Sequence, residues 1–326
     1  MTSGAPFGAK ELYPGRVRVL VPATSGNLGP GFDCLGLAYE FYDQVEVQIV
    51  DGPTTVVVEG EGAGSVPLDE QHLVLRAFRR TLEALGIAQP NVALRCVNHI
   101  PHGRGLGSSA AAVVAGIMVA RGLLPDPASL PLELVLKLAT EFEGHPDNAA
   151  PAIYGGATAS WVQNGEPFAA RLPVSPALRP VLLVPDTTLA TKAARAVLPA
   201  EVPFGDAVFN LGRTALLVAA LADPTLDLVA ATEDRLHQPY RATVMPGSAA
   251  LVAKLRSGPF PIPAVISGAG PTVLIFGTGS GEILDAEGGT EKFTELGKRL
   301  DFDPTGWRVL PLKVDEKGAQ VYRELE

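Results

Sequence analysis

Three glycines at alternate positions in Pro101-His102-Gly103-Arg104-Gly105-Leu106-Gly107-Ser108-Ser109-Ala110 constrain the fold more than any other stretch of the chain. The run lies between a strand-like segment, Asn91 to Asn98, and an Ala/Val-rich helical segment, Ser108 to Gly122. It must therefore turn from strand to helix in a tight curl with its N–H groups outward, a conformation that glycine alone adopts without cost. Ser108 or Ser109 can cap the helix, whose N-terminus adds partial positive charge, so phosphate is the natural ligand. The loop lacks the Lys of G-x-x-x-x-G-K-[ST], and its third glycine falls one residue early for G-x-G-x-x-G. The same residues could also build a plain structural turn, so the rest of the chain decides.

At 326 residues and 47 % hydrophobic composition, the chain can bury two ordinary cores or one large one. A net charge of −9 with no Lys/Arg cluster argues against a nucleic-acid surface, and no nucleic-acid partner is expected. A small anion can still be bound by backbone N–H groups, a metal ion and a few arginines. Cys34 and Cys96 show neither disulfide nor zinc spacing. The segment Met1 to Gly15 has no signal-like pattern and Ala110 to Ala120 is too short to span a bilayer, so no membrane partner and a cytoplasmic location are expected.

Val45, Val47 and Ile49 alternate with polar residues, and Thr54 to Glu59 follows Asp51-Gly52-Pro53, which predicts a hairpin. Arg16 to Val21 reads as a strand ending at Pro22, and Thr24 to Gly36 as a loop. Leu73 to Leu85 and Leu132 to Glu143 have helical spacing, and His145 to Gly156 reads as a loop before a strand at Ala157 to Val162. Past residue 175 a strand at Val181 to Val184, helices at Thr191 to Val197, Asp206 to Leu221 and Thr290 to Leu300, two strands within Pro263 to Phe276 and a last strand at Trp307 to Val314 are predicted. The fold class is α+β, with domains at 1–175 and 176–326.

Pro-x-Gly-x-Gly-Leu-Gly-Ser-Ser-Ala resembles the phosphate loop of the kinase superfamily of galactokinase, homoserine kinase, mevalonate kinase and phosphomevalonate kinase. The resemblance extends to the late turn Ser267-Gly268-Ala269-Gly270-Pro271-Thr272 and runs from about Val17 to Phe276. It implies an N-terminal ribosomal-protein-S5-like domain, a C-terminal ferredoxin-like α/β sandwich, and ATP and Mg2+ as cofactors. Pro101, Gly103, Arg104, Gly105, Leu106, Gly107, Ser108, Ser109 and Ala110 would then surround the nucleotide, with Val74 in an apolar base pocket. Where relatives show Asn-x-Val, this chain has His72-Leu73-Val74.

Three segments look specifically like the homoserine kinase family. The first is Pro22 to Gly36, in which Asn27 and Asp33 suit an alcohol or an ammonium, because Asn donates and accepts while an ionised Asp only accepts. The second is Glu141-Phe142-Glu143-Gly144-His145-Pro146-Asp147-Asn148. It implies Glu141 as the Mg2+ carboxylate with a hydroxyl from Ser108 or Ser109, and Glu143 as a rival candidate. His145 is expected to order the loop or adjoin the substrate. Asn148 stands where mevalonate-kinase-like relatives carry an Asp base, and Asp147 would bind the substrate ammonium or act as base. The third is Thr191-Lys192-Ala193-Ala194-Arg195 with His237-Gln238-Pro239-Tyr240-Arg241. Arg195 and Arg241 match a pair that clamps the substrate carboxylate, a task suited to planar guanidinium forks, and Thr191 shares a helix face with Arg195. The resemblance implies phosphorylation of the homoserine hydroxyl. A mevalonate-type hydroxy-acid kinase and a non-catalytic nucleotide sensor are the alternatives, and assembly into a homodimer is left open.

Overall fold

Val17, Val19 and Val21, all fully buried, alternate with more exposed neighbours along β1 (Arg16–Gly26), the period-two pattern of a strand with one face on a core. The computed structural model describes residues 12–278 and 289–324. β1 continues past Pro22 through a bulge at Pro22/Ala23, and β2 (Leu35–Ile49) starts at Leu35, so the loop expected over Thr24 to Gly36 is shorter than its composition suggests.

The edges of β2 decide the first sheet. One is taken by β1 and the other by β4 (Val92–Asn98), both antiparallel. β3 (Thr55–Gly60) therefore cannot form the hairpin expected across Asp51-Gly52-Pro53. It crosses to the far side of β4 and pairs with it in parallel, Val56 beside Leu94 and Val58 beside Cys96. β5 (Ala157–Gln163) joins the start of β2 and carries β6 (Glu166–Leu172). α1 (Leu73–Ala84), α2 (Ser108–Leu123), α3 (Leu132–Glu143) and α4 (Ala149–Tyr154) pack with this sheet. α2 is buried from Ala110 to Ala120 except Ala112, which explains its lack of a polar face. α4 lies inside the segment expected to be loop. Its six residues are too few for a helical period to register.

A second sheet has the order β10 (Trp307–Pro311), β7 (Leu178–Pro185), β9 (Val273–Thr278), β8 (Ala264–Ile266), all antiparallel. Its faces divide by parity. Val181, Leu183, Val273 and Ile275 meet Leu251 and Leu255 of α9 (Pro246–Arg256) and Phe293 and Leu296 of α10 (Gly289–Leu300). Leu182, Val184, Leu274 and Phe276 join Leu217 and Leu221 of α6 (Phe204–Ala222) in the main core. α5 (Thr191–Ala196), α7 (Leu228–Ala231) and α8 (Gln238–Arg241) complete this half.

After β10 the chain returns. Tyr39 bridges Val314, and β11 (Gln320–Glu324) pairs antiparallel with β1, Val19 opposite Val321. A single cut near residue 175 thus does not divide the chain, because the outer strand of the first sheet comes from the far end of the sequence. β11 is only five residues long and mostly polar, so no apolar alternation announces it.

Candidate active site

The glycine loop is built for backbone, not side-chain, contacts. Gly103, Gly105 and Gly107 all have positive φ, and a Cβ at Gly105 would lie 2.2 Å from the Ser267 carbonyl, one at Gly107 2.1 Å from Thr24 Oγ1. No other residue fits either position. Gly107 itself is the N-cap of α2, which corrects the expectation that a serine caps it and leaves the Ser108 and Ser109 hydroxyls available for other partners.

Several contacts fix the loop from behind. Tyr39 Oη donates to Ser25 Oγ (2.7 Å), Ser25 and Ser267 share a hydrogen bond (2.5 Å), and Ser267 Oγ reaches the Gly105 carbonyl (2.5 Å). Arg104 donates to the Pro185 and Asp186 carbonyls, each at 2.9 Å, and Leu106 and Pro101 are buried. These three residues hold the shape of the loop instead of lining its cavity.

At its start, Asp43 Oδ1 accepts from the N–H of His99 (2.6 Å) and Ile100 (2.8 Å). Burial raises the Asp43 carboxyl to about 6, against the lowering effect of those two donors. The folded protein therefore holds this proton more tightly than the unfolded chain, and stability should fall as pH rises from about 4 to about 6. Asp43→Asn keeps an acceptor oxygen and should flatten that part of the stability curve in urea denaturation at stepped pH.

Two cavities meet at Ser108 and Ser109. One, of about 270 Å3, is lined by His72, Val74, Ala111, Ala112 and Ala115. His72 is 5 % exposed and its Nδ1 has no partner, which is the mark of a polar group awaiting a ligand. Burial lowers its pKa, so it is neutral there. The other cavity, of about 150 Å3, brings Gly103, Gly105, Gly107, Ser108, Ser109 and Ala110 together with Asn27, Glu143, His145, Asp147, Asn148, Thr191, Arg195 and Arg241.

Around the second cavity, lining side chains and those just behind them hold one another. Arg195 makes a two-pronged pair with Asp33, Nη2 to Oδ1 at 2.6 Å and Nη1 to Oδ2 at 3.0 Å. Asn27 receives the Asp33 N–H on Oδ1 and donates to the Gly268 carbonyl, and both Asn27 and Asp33 have positive φ, so turn geometry and polar function coincide. Arg241, 1 % exposed, donates to the Ala194 and Gly268 carbonyls and to His237 Nδ1 (3.0 Å), and burial lowers it to about 10. The ring of Phe32 lies under both guanidinium groups and stacks on His237. Thr24 donates to Asn148 Oδ1 (3.1 Å), leaving the Asn148 amide to act as a donor. His145 Nδ1 is hydrogen-bonded to Asp147 Oδ1. Burial disfavours the His145 imidazolium, but the carboxylate outweighs it and the pKa is raised.

The two glutamates separate. Glu143 Oε1 accepts from Ser109 Oγ at 2.6 Å inside the cavity, and burial raises its pKa. Glu141, the residue expected to hold the metal, points elsewhere and pairs with Arg80 at 2.9 Å. Both sit near the end of α3, but residues two apart lie on different faces of a helix.

Residues 72–156 match the family model for the N-terminal domain of GHMP kinases, and the fold and loop define a small-molecule kinase of that class. The chain is 48 % identical to a homoserine kinase of Clavibacter michiganensis over 94 % of each protein, and 48 % identical to one of Leifsonia xyli over 95 % of this chain and 93 % of that one. A solved homoserine kinase from Cytophaga hutchinsonii superposes with TM-score 0.78 at 28 % identity, covering 94 % of this chain and 97 % of that one. The chain belongs to the homoserine kinase family. It is thus an ATP-dependent kinase acting on a hydroxyl group, with the two-domain α+β fold of its relatives.

Proposed function

We propose that the substrate is homoserine, seated by insertion of its zwitterion into the Asp33–Arg195 pair. The observation that carries this reading is the two-pronged Asp33–Arg195 contact, each partner about one-third exposed, whose Arg195 lines the loop cavity. An amino acid brings one charge of each sign. Its carboxylate takes Arg195, with Arg241 beside it, and its ammonium takes Asp33, so neither member is left unpaired. A hydroxy acid without an ammonium would strand Asp33, which disfavours mevalonate. Asn27, Thr191, His145 and Asp147 complete the wall around it.

The triphosphate of ATP lies on the Gly103–Ser109 amides, with the purine over Val74 and an edge nitrogen on His72 Nδ1. Glu143 and Ser109 present two hard oxygens side by side, a donor set that fits Mg2+ better than Glu141 does. When bound, Mg2+ supplies charge neutralisation between phosphoryl oxygens. Asn148 cannot take a proton usefully, so it orients the attacking hydroxyl as a donor. The products are O-phosphohomoserine and ADP, the phosphorylated amino acid serving threonine synthesis. A cytoplasmic location and homodimer assembly belong to this reading as well.

Coupled ADP release measured with homoserine, mevalonate, shikimate, galactose and threonine tests it. Homoserine should give the highest kcat/KM, and a larger value for mevalonate would sink the zwitterion argument. His72→Ala should raise KM for ATP several-fold with little change for homoserine, while His72→Asn keeps most of the affinity.

A further inference from the structure

His237 and Arg241 stand four apart, at the cap and the last residue of α8, and so share one face of that helix. Asp234 builds the turn beneath them by accepting from the N–H groups of Leu236, His237 and Gln238. Both side chains are buried, His237 at 0 % exposure and Arg241 at 1 %. A guanidinium stripped of water this completely needs acceptors, because an N–H left bare costs its full desolvation. Nε donates to the Ala194 carbonyl at 3.2 Å, and Nη1 to the Gly268 carbonyl at 3.1 Å and to His237 Nδ1 at 3.0 Å. Nη2 has no protein partner among the described residues, yet Arg241 lines the loop cavity, so this end is left for a ligand.

The neighbours of His237 fix its tautomer. The Gly29 carbonyl, 2.8 Å from Nε2, can only accept, and the Arg241 guanidinium can only donate, so Nε2 carries the hydrogen and Nδ1 keeps its lone pair. Asp234 Oδ2 lies 3.5 Å from Nε2 and is occupied by the backbone N–H groups of His237 and Gln238. A second proton on the ring would set N–H against N–H at Arg241. Burial, the largest influence, lowers the pKa and keeps the imidazole neutral; Arg241 acts in the same sense, Asp234 and Asp33 in the opposite one. Phe32 stacks on the imidazole at 5.1 Å, which fixes the plane of the ring.

Gly29 and Phe32 belong to the loop between β1 and β2, which also carries Asn27 and Asp33, whereas Arg241 belongs to the second half of the chain. One neutral imidazole therefore ties the loop that receives the substrate ammonium to the guanidinium that receives its carboxylate. The late glycine turn takes part through a single atom, the Gly268 carbonyl, which accepts from both Asn27 and Arg241. We infer that neutral His237 is a positioning residue for homoserine, its Nδ1 holding Arg241 Nη1 so that Nη2 meets the substrate carboxylate at a set distance from Asp33. This inference rests on the reading of homoserine as the substrate. A histidine that merely supported the fold would act through Gly29, and the two roles use different ring nitrogens.

Two amides separate these roles. Asparagine places its carbonyl oxygen near the Nδ1 position and keeps an acceptor for Arg241, while glutamine places its amide near the Nε2 position and keeps a donor to Gly29. Steady-state kinetics on full chains, with each substrate varied in turn and folding checked by circular dichroism, should show KM for homoserine raised about 10-fold in His237→Gln and His237→Ala, the usual cost of losing a hydrogen bond to a charged group. His237→Asn should recover most of that loss, and KM for ATP and kcat at saturating homoserine should change little in all three. If His237→Ala does not fold, the comparison of Asn with Gln decides. Equal KM for homoserine in those two, the reverse order, or a matching rise in KM for ATP overturns the positioning role and leaves the substrate reading standing. Arg241→Ala tests that reading itself: a large rise in KM for homoserine supports it, and an unchanged value overturns both.

Discussion

Replacing Glu143 with Gln should lower kcat by about 10²- to 10³-fold, the usual loss when a group that stabilises transition-state charge is removed. Glu141→Gln should stay within a few-fold of wild type. Glu143 stands in the loop cavity against Ser109, while Glu141 is half on the surface with Arg80. Glutamine keeps the volume and the hydrogen bond to Ser109 but forfeits the negative charge on which a divalent cation depends. The Glu143 variant should also need far more Mg2+ for half-maximal rate. Initial rates over a Mg2+ titration check both variants. A deficit confined to Glu141→Gln would return the metal role to the residue that the sequence favoured.

The second large effect falls on the substrate. Arg195→Ala should raise KM for homoserine by about 10²-fold, in line with losing a charge-assisted hydrogen-bond pair, and leave KM for ATP nearly unchanged. Arg195→Lys should recover little, because a point charge cannot reproduce the two-pronged geometry seen with Asp33. Asp33→Asn should also weaken homoserine, through its ammonium, and should narrow the preference for amino acid over hydroxy acid. Equal losses toward ATP and homoserine in Arg195→Ala would place the residue outside substrate binding. Steady-state kinetics with each substrate varied in turn distinguishes these outcomes.

How far the sequence could be read depended on how local the cause was. α3 was predicted at its observed bounds, Leu132–Glu143, because a buried stripe repeats along it. The strand-loop-helix around Gly103 to Ser109 was legible because three left-handed positions, at alternate residues, demand glycine. The pairing of β3 was not, since the hairpin signal at Asp51-Gly52-Pro53 is local while the occupied edge of β2 is a property of the whole sheet. Within the site, Asn27, Asp33, Arg195 and Arg241 were picked out by the segments that resemble the family, not by residue type alone, and the structure brings the four to one place. They could not separate Glu141 from Glu143, because the outcome turned on which helix face the α3 terminus shows to Ser109. His72, noted only as a departure from the usual Asn, and His237 were given no role for a related reason. Only burial, with an unpartnered Nδ1 in one and a bond to Arg241 in the other, distinguishes them from ordinary core histidines.

The pairing of Gln320–Glu324 with β1 has a consequence for biosynthesis. Partners about 300 positions apart make one of the longest loop closures the chain can form, and such pairings come late in folding. During translation the first sheet has to wait on the ribosome with the outer edge of β1 bare, an invitation to sticky encounters with other nascent chains. Arg16 and Arg18 on that waiting edge are the charges that would keep strangers off until the far end of the protein arrives.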